Sequence, residues 1–82
     1  ARHEALARDS DLLACLERLT PRERQVMELI VAGSPNRAVA EDLKISEKTV
    51  EAHRARIMEK MQAVSFADLV ARVVEGRLSQ SD

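Results

Sequence analysis

The chain has 82 residues, a formal net charge of −1, 45% hydrophobic side chains and 1% aromatic ones. That size suits one small domain, and a core built from Leu, Ile, Val, Ala and Met, mostly strong helix formers, predicts an all-α fold. The single Cys15 excludes an internal disulfide, no Cys/His group has metal-ligand spacing, and no apolar run approaches the ~18 residues of a membrane span, so the expectation is a cytoplasmic protein with no cofactor, metal or membrane partner.

No charged-then-apolar leader opens the chain, which begins at Ala1 rather than Met, and a further domain upstream is expected. Residues 4–18 place Leu6, Leu12, Leu13 and Leu16 among charges without Pro or Gly, the pattern of an amphipathic linker helix filling 1–18. Thr20-Pro21-Arg22-Glu23 then predicts a helix start. Thr20 caps, Pro21 fits the first turn without losing a bond, and Glu23 reaches back to complete a capping box. That helix covers 21–32, with Val26, Leu29 and Ile30 on its apolar face and Gly33 to end it. Arg24 is expected to pack or pair within the bundle.

Ser34-Pro35-Asn36 restarts the chain as a short helix to about Leu43, with either Ser34 or Asn36 as cap. Val39 and Leu43 face its core side, and the small Ala40 allows a neighbouring helix to come close. Ser46 caps the next helix, predicted over 47–62. Ser65-Phe66-Ala67-Asp68 opens the last, expected to end at Gly76, with residues 79–82 as a flexible tail.

A short helix, a tight turn and a second helix opening on polar residues is the arrangement that enters a DNA major groove. At ~100° per residue, Val50, Ile57 and Met61 share one face of 47–62, while Lys48, Ala52, Ala55 and Glu59 share the opposite one. Alanines there permit close approach and contact with thymine methyls. Thr49, His53, Arg56 and Lys60 line a flank, as phosphate clamping requires. The charge pattern lends modest support, since residues 36–62 hold six basic and five acidic side chains in a chain that is otherwise slightly acidic.

The string Leu19-Thr20-Pro21-Arg22-Glu23-Arg24, Gly33, Asn36, Ala40 and Ile45-Ser46-Glu47-Lys48-Thr49-Val50-Glu51-Ala52-His53 resembles the LuxR-type output domain over about residues 19–75. Ser34-Pro35-Asn36 and His53-Arg54-Ala55-Arg56-Ile57-Met58-Glu59-Lys60-Met61 are most similar to the FixJ subgroup of two-component response regulators. The resemblance implies a four-helix helix-turn-helix domain over 19–78 behind a linker helix, joined in a longer protein to an N-terminal receiver domain. It further implies that Lys48 and Thr49 touch the DNA backbone and that Glu51, Ala52 and Ala55 face bases. His53, Arg54 and Arg56 then hold phosphates or flanking bases. Lys44 stands where the family often has Gly and is expected in a left-handed turn; Glu51 and Ala55 stand where relatives often carry basic residues. A groove-facing Glu51 repels phosphate but accepts a hydrogen bond from a cytosine amine.

Helix-turn-helix units usually bind paired half-sites as dimers. Leu69, Val70, Val73 and Val74 exceed what one core stripe requires, which places a dimer contact on the last helix. The partners expected are double-stranded DNA and a second copy of the chain, with RNA polymerase as a further candidate. No Gly-rich phosphate loop or catalytic triad supports an enzyme. The rival reading is a helical protein-interaction module without DNA binding, which suits the near-neutral charge.

Overall fold

The computed structural model describes residues 12–80, with side-chain surroundings as far as Gly76, and among these residues it contains helices and no strand. Helix α1 covers 12–18, followed by α2 (Pro21–Val31), α3 (Asn36–Leu43), α4 (Glu47–Lys60) and α5 (Phe66–Gln80). The expectation for residues 1–11, and for Ser81 and Asp82 in the tail, lies outside the described residues. Helix α4 packs on both α2 and α3, and α5 closes the bundle against α2.

The buried core draws on every helix: Cys15 from α1, Val26, Met27 and Ile30 from α2, Val39 and Ala40 from α3, Val50 and Ile57 from α4, and Leu69 and Val73 from α5, with Leu19 and Met61 from the connections. Cys15 sits inside as a small apolar side chain. The Thr20 capping box forms in full, with Thr20 Oγ1 accepting from the Glu23 amide at 3.1 Å and Glu23 Oε1 accepting from the Thr20 amide at 2.9 Å. Arg24 pairs within the bundle, donating from Nε and a terminal guanidinium nitrogen to the Leu16 carbonyl at 3.2 and 2.8 Å, and so ties α2 to the end of α1.

Three helices end in the same way. After α2 the left-handed residue is Gly33 (φ 103°), with Gly33 N–H returning to Ile30 and Ser34 N–H to Leu29. After α4 it is Gln62 (φ 55°), with bonds to Glu59 and, from Ala63, to Met58. After α3 it is Lys44 (φ 57°), as expected, with Ile45 N–H returning to Ala40. These six-to-one closures satisfy carbonyls that a helix end leaves orphaned, and only glycine adopts the required conformation without strain.

Four boundaries differ from expectation. Helix α2 stops at Val31, one residue early, with Ala32 as its cap. Helix α3 begins at Asn36 with Pro35 as N-cap and no side-chain cap at all, so neither Ser34 nor Asn36 plays that part. The Asn36 carboxamide is engaged instead by a guanidinium, and a hydrogen bond to a charged group outweighs a cap of ~1 kcal/mol. Helix α4 ends at Lys60 rather than residue 62, because Gln62 takes the left-handed turn. Helix α5 does not end at Gly76 but runs through it to Gln80, which makes Ser79 and Gln80 helical rather than tail. Gly76 is buried and a Cβ there would overlap Leu12 Cδ2, so this glycine lets α1 dock on α5.

Candidate nucleic-acid interface

Helices α3 and α4, with the Lys44-Ile45-Ser46 turn between them, present the interface. Ser46 fixes the start of α4, its Oγ accepting from the Thr49 amide at 3.0 Å and lying 2.9 Å from Thr49 Oγ1. Glu47 in the first turn and Lys60 in the last complement the helix dipole. Val50 and Ile57 are fully buried and anchor the inward side. The outward side carries Lys48, Thr49, Glu51, Ala52, Ala55, Arg56 and Glu59, all exposed. The open Ala52–Ala55 strip that a groove-binding helix needs is therefore present.

Three residues expected to contact DNA are held differently. Lys60 is paired through Nζ with Glu23 Oε1 at 2.7 Å, the same oxygen that accepts the Thr20 amide. Glu23 is only 2% exposed, and its partner ties the end of α4 to the start of α2. Burial pushes the Glu23 carboxyl up, but hydrogen bonds from Lys60 and the Thr20 amide, with the charges of Lys60 and His53, outweigh it and hold the carboxyl below its ordinary value. Arg54 donates to Asn36 Oδ1 at 2.8 Å and lies over the Phe66 ring, 5.0 Å from its centroid, so one guanidinium joins α3, α4 and the start of α5. His53 is half-buried, with Nδ1 enclosed and unpartnered, on the Glu23 side of the helix. Lys48 and Arg56, by contrast, have no ion-pair partner among the described residues, whereas Arg37 on α3 is paired with Glu41 at 3.5 Å.

The residues expected at a dimer contact divide. Leu69 is fully buried and Val73 is 5% exposed, so both are spent on the core and offer nothing to a second copy. Val70 is half-buried, and it forms a row at four-residue spacing with the exposed Phe66 and Val74. Sequence reasoning missed Asn36 and Phe66 as supports of α4 and saw Glu23 only as a cap. Their partners lie far along the chain, where helical periodicity carries no signal.

The description of bacterial regulatory proteins of the luxR family matches residues 17–73. The chain is 48% identical over 62 residues to the tetrathionate response regulatory protein TtrR of Salmonella typhimurium, covering 76% of this chain and 30% of that protein. It is 47% identical over 72 residues to the transcriptional regulatory protein FixJ of Rhizobium meliloti, covering 88% and 35% respectively. The crystal structure of full-length FixJ from B. japonicum superposes with a TM-score of 0.83 at 39% identity, over 94% of this chain and 38% of that one. The chain thus spans about a third of the length of the relatives it matches.

Proposed function

The chain belongs to the luxR family of bacterial regulatory proteins, and from that premise we propose that it is the DNA-binding output unit of a response-regulator transcription factor, with α4 reading the major groove. The observation that carries this reading is the division of α4 into a clamped side and an open one. Val50 and Ile57 are sealed in the core. The Glu23–Lys60 pair and the Asn36–Arg54–Phe66 stack fix how the helix projects. A pre-positioned helix spends no ordering free energy on binding. On its open side, two alanines permit close approach to base edges, while Lys48 and Arg56 are free to meet phosphates. Arg54 and Lys60 then act from behind as positioning residues rather than as the DNA contacts expected of them.

In the longer protein this unit follows a receiver domain, and it occupies paired half-sites as a homodimer. Phe66, Val70 and Val74 are what α5 leaves for that contact. The test is binding to duplex DNA across a salt series. Each phosphate neutralised lowers the slope of log affinity against log salt by about 0.9. Truncating Lys48 or Arg56 to Met is expected to remove about one such unit each. An apolar docking groove for a protein partner gives affinity that barely responds to salt, and that result would exclude the DNA reading.

A further inference from the structure

Glu51 is an exposed carboxylate in the second turn of α4, and the side chains that usually neutralise such a group on a helix are withheld. The residue four positions on is Ala55, and the one three positions on, Arg54, is held inward by Asn36 and the Phe66 ring. Lys48, three residues earlier, makes no ion pair with it. The N-terminal half of a recognition helix is the part that meets base edges, and there this helix sets one unpaired acceptor at the edge of the strip formed by the methyl groups of Ala55 and Ala52. Guanine is most often read by a bidentate Arg or Lys, but Arg54 and Lys60 are both committed within the bundle, and the two free cations, Lys48 and Arg56, are the ones assigned to phosphates in the reading above.

We infer that α4 selects its half-site through Glu51 accepting a hydrogen bond from a cytosine amine, with thymine methyls against Ala52 and Ala55. This inference rests on the duplex-binding reading above. An anionic side chain beside phosphates is repelled, and the cytosine N4 amine is the major-groove donor that repays the approach of a carboxylate. Adenine N6 is also a donor, but the neighbouring N7 acceptor repels a second carboxylate oxygen. Thymine and guanine present acceptors alone at the corresponding edge. The result is a pyrimidine-reading strip rather than a guanine-reading one.

The experiment is selection from a random duplex library with the 82-residue chain, run in parallel for wild type, Glu51→Ala and Glu51→Gln, with circular dichroism to establish that each is folded. Wild type is expected to enrich cytosine at one position by roughly tenfold. Glu51→Ala flattens that position, and Glu51→Gln turns it toward adenine, whose N6/N7 edge a carboxamide matches. Replacing one adjoining thymine by deoxyuridine removes one methyl and weakens wild-type binding about fourfold. A cytosine preference that persists in Glu51→Ala, or a wild-type site with no cytosine column, overturns the inference while leaving duplex binding intact. Failure of the wild type to retain any duplex at low salt overturns the binding reading, and this one with it.

Discussion

Replacing Lys60 by Met separates two roles that a cation at the end of α4 can have. In the structure its ammonium lies 2.7 Å from a carboxylate that is 2% exposed. Removing one partner of a buried pair costs about 3–5 kcal/mol, because the other charge is left uncompensated. The Lys60 side chain is 32% exposed and Glu23 keeps the Thr20 amide, so screening and the remaining bond bring the expected loss to about 2 kcal/mol. A domain of this size has a total stability of about 4–12 kcal/mol, and the loss corresponds to a fall in Tm of roughly 8–16 °C. Urea unfolding followed by far-UV circular dichroism measures it, since the chain has no Trp or Tyr. Duplex binding at a temperature where both forms are folded should keep its salt slope. Arg56→Met is the counterpart, with stability unchanged and the slope reduced by about one phosphate. If Lys60→Met instead leaves stability within about 0.5 kcal/mol of wild type and lowers the salt slope, the lysine is a phosphate contact and the clamp has no energetic role.

The Glu23 carboxyl titrates below its ordinary value of 4.5 in the folded chain, so its contribution is complete above that value and is lost as pH falls through the folded one. Urea unfolding from pH 7 to 3 should therefore show a smaller acid loss in Glu23→Gln than in wild type; equal losses would assign the acid sensitivity elsewhere. Lys44→Gly and Gln62→Gly relieve left-handed backbone and should each stabilise by up to about 1 kcal/mol in thermal unfolding, glycine's added chain entropy offsetting part of the gain. Asn36→Ala removes the acceptor of the Arg54 guanidinium and should cost about 1–2 kcal/mol. It should also weaken duplex binding with no change in salt slope, because the helix loses its support rather than a phosphate contact.

Much of the fold is written locally. Thr20-Pro21-Arg22-Glu23 forms the capping box it spells, Gly33 closes α2, Ser46 caps α4, and the seven- and four-residue spacing of Val50, Ile57 and Met61 marks their burial. The left-handed turn at Lys44 followed from the family resemblance, in which Gly often stands at that place, and not from the local pattern. The misplaced features are those whose cause lies elsewhere in the chain. Gly76 reads as a stop until Leu12 is seen resting on it. Leu69 and Val73 read as surplus apolar surface until the bundle closes over them.

The same distinction governs the candidate interface. The sequence by itself determined that α4 exists, which side of it is apolar, and that Ala52 and Ala55 lie opposite that side, because helical periodicity is a property of adjacent residues. It could not decide which cations on the helix are free, since Arg54 meets an acceptor 18 residues away and Lys60 one 37 residues away. Only the packing of α2, α3 and α5 around α4 brings those partners within hydrogen-bonding range. That packing engages two of the expected DNA contacts, Arg54 and Lys60, within the bundle and leaves Lys48, Arg56 and Glu51 exposed.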